Sequence, residues 1–368
     1  MCKDAWNTLK SLIQDEYERT GKTLTRYDLG YKIVALKQIE PKYQKLYAQV
    51  LRDVAARLIN AYKTFFARYK KDRKARLPRY KTQEHYHSFT YPQFGFKFID
   101  NKIQLSKVGS IKYRGPIPIG KIKTFTVKHS KSGKWFGYII YEKQLDSFDA
   151  DLPVVGIDLG LEKFATLSDG NYISIPQFYR RDEKRIKKVH QELSRKKRGS
   201  RNRGKTKRRL AEVYEKVSEK RLNFLHKVST WIADRYSVVC VENLNIKGIS
   251  QGLKLGKSVH DASWGRFLAL LEYKLDERNG LLVKVDPRNT SQTCSNCGEK
   301  VNKTLNTRTH TCFNCGLVMD RDLNASKNIL KVGIDDAELT PAERRTTAST
   351  LVDVSSLIET GISHPTGE

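Results

Sequence analysis

Two Cys-x2-Cys pairs constrain this chain more than any other feature. Cys294 and Cys297 form one, Cys312 and Cys315 the other, with fourteen residues between the pairs. Each short loop can aim two thiolates at one ion, and Gly298 and Gly316, directly after the loops, permit the tight turn. The pattern predicts a closed four-thiolate site with a structural role and Zn2+ as its default ion; an iron–sulfur or rubredoxin-type site is the alternative. His310 is a spare beside it, and Cys2 and Cys240 stand outside the pattern. Cys240, within an apolar run, reads as core. Six cysteines, four of them paired this way, are metal arithmetic and not a disulfide framework, which fits a reducing cytosol.

Charge narrows the partner. The chain of 368 residues carries 69 Lys and Arg against 40 Asp and Glu, a formal +29. An enzyme of neutral metabolites does not need that excess, whereas a polyanion binder releases a counterion for each phosphate it neutralises. The excess is concentrated. Residues 335–368 hold seven acids and two bases, while Arg180–Arg209 hold sixteen bases and three acids. Like charges at that density repel too strongly for decoration, so a phosphate backbone is the expected counter-charge. Its candidate contacts are Arg195, Lys196, Lys197, Arg198, Arg201, Arg203, Lys207, Arg208 and Arg209. The bland reading is a solvated arm. A second block combines Arg73, Lys74, Arg76 and Arg79 with Tyr69 and Tyr80, cations for phosphates and rings for stacking; alternatively the tyrosines pack under a helix end. No run approaches the roughly 18 apolar residues of a membrane span, and no apolar signal core follows Met1, so an internal, cytoplasmic location is expected.

Along the chain, Trp6, Leu9, Leu12 and Ile13, then Val50, Val54 and Leu58, recur at helical spacing and predict a helical region over 1–70. Residues 86–143 are short runs rich in Tyr, Phe, Ile and Val punctuated by Gly, with a hairpin expected between 121–129 and 134–141, as in a small antiparallel barrel or sheet. After an acidic linker, 145–153, apolar strands are expected to end at Asp158, Glu242 and Asp286, with a turn at Asp169-Gly170. A long helix is expected to follow the basic block, another over 264–278 and a last one past the cysteines. This order is that of an α/β sheet domain. The Thr-, Ser- and acid-rich C-terminal residues read as a disordered tail.

Three acids occupy marked places. Asp158 and Glu242 end apolar strands, where α/β sheets build sites, and Asp322 opens a helix. Together they would repel unless divalent cations held them, and two such ions are the standard solution for phosphodiester hydrolysis. Each alone could merely cap a turn or a helix. Asp320 competes with Asp322 on spacing, and Asp261 and Asp286 also lie near element ends.

The motifs GIDLG (156–160), VENL (241–244), TSQTCSNCG (290–298), CFNCG (312–316) and DRDLNASKNI (320–329) occur in one order. That order resembles the TnpB (OrfB) proteins of bacterial and archaeal transposons, relatives of the type V CRISPR effector nucleases. The resemblance covers about residues 1–334. It implies an α/β multidomain protein with an RNase H-like RuvC nuclease domain interrupted by a four-cysteine zinc finger, behind a helical domain and a small β-barrel. The implied boundaries are 1–81 helical recognition domain, 82–148 oligonucleotide-binding barrel, 149–290 first nuclease part, 291–319 zinc finger, 320–334 second nuclease part and 335–368 tail. Asp158, Glu242 and Asp322 match the three catalytic, Mg2+-binding acids. The implied partners are a guide RNA from the transposon end and double-stranded target DNA. Family members start with a strand like Y-R-L-Y-P-T ahead of the first helix; this chain starts within what reads as that helix, so its barrel is expected to lack that strand.

An RNA-guided, Mg2+-dependent DNA endonuclease is therefore the leading expectation. A non-cleaving nucleic-acid-binding regulator is the second, although it would need none of the three acids. A transposase using a Tyr nucleophile beside a His-x-His metal site, suggested by His85-Tyr86-His87, is the third.

Overall fold

Trp6, Leu9 and Ile13 lie one helical turn apart and are all buried on α1, Cys2–Thr20. In this computed structural model the described residues are 1–117, 119–143, 152–252, 256–304, 307–337 and 355–356. Most of the acidic linker at 145–153 and most of the C-terminal tail lie outside them. The chain divides into two units, Met1–Gln144 with Asp353–Glu368, and Leu145–Val352.

In the first unit, α2 (Arg26–Ile39) starts at a capping box, Thr25 and Asp28 each bonding the other's backbone N–H. A short α3 (Pro41–Gln44) leads to α4 (Ala48–Lys71), which buries Leu51, Val54 and Leu58 with the apolar faces of α1 and α2. Six strands follow: β1 (Ser88–Tyr91), β2 (Phe96–Ile99), β3 (Lys102–Leu105), β4 (Gly109–Lys112), β5 (Lys121–His129) and β6 (Trp135–Glu142). The expected hairpin is β5 paired antiparallel with β6, and β1 pairs with the other edge of β5. A separate antiparallel meander, β2-β3-β4, contributes Ile103 and Leu105 to the same apolar cluster as Tyr91, Phe125 and Ile139.

The second unit is built on a five-stranded sheet. Its elements are β7 (Val154–Asp158), β8 (Lys163–Leu167), β9 (Tyr172–Ser174), α5 (Phe178–Ser194), α6 (Arg201–Ala233), β10 (Val238–Glu242), α7 (Ile246–Gly252), α8 (Gly256–Ala262), α9 (Trp264–Asp276), β11 (Leu281–Val285), β12 (Thr309–Thr311), β13 (Val318–Asp320) and α10 (Arg321–Ala337). The strand order is β11-β10-β7-β8-β9; β11, β10 and β7 are parallel, β8 is antiparallel to β7, and β9 is antiparallel to β8. The basic block is not a prelude to the long helix, as the sequence suggested. It forms α5, a turn and the first third of α6, because Ile186, Val213 and Val217 bury a seam between the two helices and leave the cations outside.

Strand alternation sorts the sheet's two faces. Val155, Ile157, Val239 and Val241 pack with Leu225 and Ile232 of α6 and Phe267 and Leu271 of α9. The alternate residues meet α10 instead. A Cβ on Gly156 would lie 2.1 Å from the Ser326 carbonyl oxygen, and one on Gly333 would lie 2.3 Å from Cys240 Sγ. Two glycines, one on the strand and one on the helix, thus let α10 rest directly on β7 and β10. Among the described residues no helix is long and apolar enough to cross a membrane.

Candidate functional site

The same alternation determines where the acids go. Asp158 follows Gly156 by two and Glu242 follows Cys240 by two, so both belong to the face that α10 covers. Val241 pairs with Ile157 in parallel, which makes Glu242 and Asp158 neighbours at the C-terminal edge. There Gly160 turns the chain tightly; a Cβ on it would lie 2.8 Å from the Lys163 carbonyl oxygen. Asp322, in the first turn of α10, completes the group.

Burial, then the charges of Glu242 and Asp322, push the Asp158 carboxyl up to about 8, with Arg321 opposing. Glu242 is also raised by burial, against a hydrogen bond that Thr290 Oγ1 donates to Glu242 Oε1 at 2.5 Å. Glu242 and Thr290 are 9 % and 4 % exposed. Arg321 Nη2 pairs with Asp322 Oδ1 at 3.1 Å and its Nη1 donates to the Thr307 carbonyl. Asp320 has a different role. Its Oδ1 accepts from the backbone N–H groups of Asp322 and Leu323 at 2.9 and 3.0 Å, and Lys163 Nζ meets its Oδ2 at 2.9 Å. That makes Asp320 a helix cap whose carboxyl is held low by its lysine partner and these amides despite partial burial. The oxygens of Asp158, Glu242 and Asp322 are more widely spread than one ion's shell: among the described residues only the four cysteines bring three or more ligand atoms within 4.8 Å of one another. Two neighbouring strand-end carboxylates, and a third close enough to help raise Asp158, are hard oxygen donors that fit divalent cations as counter-charge.

The other two acids that pattern alone could not dismiss are elsewhere. Asp261 accepts the Tyr179 N–H on both oxygens at 3.1 Å and pairs with Arg221 at 2.7 Å, so it caps α5 and ties it to α6. Asp286 is exposed beside Arg288.

The cysteine loops are built alike. Cys294 N–H donates to the Glu299 carbonyl and Cys312 N–H to that of Leu317, at 2.8 and 2.9 Å; Gly298 and Gly316 return N–H bonds to the cysteine carbonyls with φ of 80° and 72°. Sulfurs approach pairwise across the loops, Cys294 to Cys315 at 3.6 Å and Cys297 to Cys312 at 3.5 Å. Zn–S bonds of about 2.3 Å imply a tetrahedral edge of about 3.8 Å, so the cage has the size of a Zn2+ site. His310 is buried beside Lys303 and outside this group.

Sequence reasoning missed the joint between cage and carboxylates. Asn324 Nδ2 donates to the Thr293 carbonyl at 2.7 Å, and its Oδ1 accepts the Ser295 N–H at 2.9 Å. One turn on, Asn328 Nδ2 donates to the Thr290 and Thr293 carbonyls at 2.8 and 2.7 Å. The first cysteine loop, Thr290 and through it Glu242 are thus fixed to the helix that carries Asp322. The signal was two asparagines four apart, one turn from each other in the last helix.

Of the basic candidates, Arg195, Lys196, Lys197, Arg198, Arg201, Lys207 and Arg208 are exposed on the α5–α6 turn and the start of α6. Arg203 is only partly exposed, and its Nη1 donates to the Leu193 and Lys196 carbonyls, closing the end of α5. Arg209 is exposed but pairs with Glu192 at 2.9 Å. Arg73, Lys74, Arg76 and Arg79 are exposed past α4, Arg73 over the Tyr69 ring at 4.9 Å. The His-x-His reading fails geometrically. His85 Nδ1 meets Thr82 Oγ1, His87 Nε2 meets the Glu84 carbonyl, and the Tyr86 hydroxyl is buried with burial raising its pKa.

Two family models match, one described as "Probable transposase" over residues 149–252 and one as "Cas12f1-like, TNB domain" over 264–329. A Streptomyces pristinaespiralis protein named "Putative RNA-guided DNA endonuclease" is 34% identical over 327 residues, 86% of this chain and 78% of that one. The Escherichia coli (strain K12) "Putative RNA-guided DNA endonuclease InsQ" is 30% identical over 306 residues, 78% of this chain and 74% of that one. The fold is similar to that of the protein in a Cas12f1–sgRNA–target DNA complex, with a TM-score of 0.53 at 16% identity over 89% of this chain and 80% of that one. These likenesses define the class, transposase-related proteins with a Cas12f1-like C-terminal module. Within it, this chain belongs to the TnpB family.

Proposed function

We propose that the protein is an RNA-guided DNA endonuclease whose cleavage centre is Asp158, Glu242 and Asp322. The observation that carries this is the convergence of three acids, from two strand ends and a helix start, with Asp158 pushed up to about 8. The names of the relatives support the RNA-guided reading. The second unit is read as a RuvC-type, RNase H-like domain with an inserted zinc finger, and the two small sheets of the first unit as the barrel. Domain limits at 81, 148, 290 and 319 follow from the same reading. Mg2+ held by the three acids would stabilise charge on the attacking and leaving oxygens of the phosphodiester. The chain's own groups set the stage: Thr290 fixes Glu242, Asp320 fixes the start of α10, and Arg321 balances the acids. Zn2+ on the four cysteines is structural. The partners are a guide RNA from the transposon end and double-stranded DNA, in a prokaryotic cytoplasm.

The test is purification from cells carrying the flanking locus, sequencing of bound RNA, and cleavage of matching DNA with Mg2+. Asp322→Ala should be inactive, while Asp320→Ala, which loses a helix cap and an ion pair with Lys163, should retain measurable cleavage. The reverse result would reassign the third acid. Failure of the wild-type chain with every bound RNA would leave the non-cleaving reading.

The α5–α6 turn should hold phosphates without reading bases. Changing Arg195, Lys196, Lys197 and Arg198 to Gln should weaken binding to all sequences alike and flatten the log–log salt slope by about 0.7–0.9 per lost contact. An unchanged slope would return the turn to solvent.

A further inference from the structure

A groove of about 340 Å³ opens in the first unit between α4 and the extended segment 75–81. Its apolar side includes Trp6, Phe65 and Pro78. Its other lining side chains include Arg68, Arg76, Arg79 and Lys81, and no carboxylate lines it. Four cations around an apolar wall select a ligand that is both anionic and flat. The volume is at the small end for a ligand cleft, enough for a single base with its sugar and too small for a duplex.

The wall is fixed beforehand. Asn7 clamps Lys81 on both sides of its peptide, donating to its carbonyl at 3.0 Å and accepting its N–H at 2.8 Å. Trp6 Nε1 donates to the Arg79 carbonyl at 3.3 Å, and Tyr80 Oη donates to Gln14 Oε1 at 2.8 Å. Segment 75–81 is thereby strapped to α1, and binding need not pay for ordering it. Lys10 lies 3.7 Å over the Tyr80 ring, so that tyrosine is occupied. Phe65, half-buried in the groove with its ring tilted against those of Phe66 and Tyr69, is the remaining aromatic candidate of α4 that lines it.

We propose that this groove binds one unstacked nucleotide of a single strand, the base against Phe65 and Pro78 and the phosphates on Arg68, Arg76 and Arg79. The proposal deepens the nucleic-acid-guided reading above and rests on it for the source of the strand. Because it concerns binding alone, its failure is visible separately from a failure of cleavage.

The test uses the full-length protein stripped of nucleic acid in high salt, with fluorescein-labelled 12-mers of uridine RNA and thymidine DNA, read by anisotropy over a salt series. Thr64→Trp fills the groove from an exposed position of α4 and leaves every charge in place. It should lower affinity about tenfold without changing the salt slope, the size of a lost base–aromatic stack. Arg76→Gln with Arg79→Gln should lower both affinity and slope, by about 0.7 per contact. A loss seen mainly with RNA assigns the groove to the guide, and one seen mainly with DNA assigns it to a displaced strand. Thr64→Trp binding both 12-mers as wild type does would overturn the proposal. Should that variant melt early, a 4-thiouridine 12-mer photocrosslinked to the wild-type chain decides: crosslinks within residues 61–81 support the site, and crosslinks only elsewhere refute it.

Discussion

Asp158→Asn is expected to stabilise the protein in magnesium-free buffer while abolishing cleavage. The Asp158 carboxyl moves from an ordinary value of 3.8 in the unfolded chain to about 8 in the fold. A raised carboxyl favours the folded state fully below pH ~4, and that contribution is lost as pH climbs through the folded value. At ~1.4 kcal/mol per pKa unit, a rise of about 4 units means that the metal-free fold gives up on the order of 6 kcal/mol across that window. Asn keeps the shape without the charge. Its melting temperature should therefore exceed that of wild type by several degrees at pH 8, the gap closing toward pH 4. Adding Mg2+ should raise the wild type and leave Asn nearly unmoved. Cleavage by Asn should fall by at least ~1,000-fold, since losing a metal ligand in such a centre costs about 4 kcal/mol or more of barrier. Equal melting curves at pH 8 would mean that the three acids do not oppose one another in solution.

Cys312→Ser should damage more than the cage it belongs to. Structural Zn2+ sites contribute on the order of 10 kcal/mol to the fold of the segment they close. Here that segment is bolted to α10 by Asn324 and Asn328, and Thr290 passes the connection to Glu242. The variant should contain no zinc, and amide hydrogen exchange should quicken over 290–320 while β7 and β8 stay protected. Cleavage should disappear although all three acids remain. Zinc found at one per chain in Cys312→Ser, or wild-type exchange over 290–320, would break this chain of support.

The parts of this fold that were legible in the sequence are those fixed by local pattern. Val154–Asp158 and Val238–Glu242 are continuous apolar runs ending in an acid, and a run buried on both faces leaves that trace. The cysteine loops follow from spacing alone. The α5–α6 hairpin was read only in part, because its seam of Ile186, Val213 and Val217 is sparse among cations. Nothing local distinguishes Asp320 from Asp322, or assigns Asp261 to Tyr179 and Arg221, whose partners are 82 and 40 residues away. Thr290, Asn324 and Asn328 read as ordinary polar residues until the fold brings them together. Arg203 reads as one cation among sixteen, and only the turn geometry shows that its Nη1 serves two carbonyls.

The seat of α10 on Gly156 and Cys240 bears on how the protein is made. A ribosome delivers β7 and β10 long before it delivers this helix. Until Arg321 and its successors emerge, the nascent sheet exposes a strip of glycine, cysteine and valine that no other described helix covers, and it carries only two of the three acids. On the proposed function, a message cut short ahead of that point would yield a product prone to clump yet lacking a complete cleavage centre, so incomplete synthesis would burden the cell's chaperones and spare its genome.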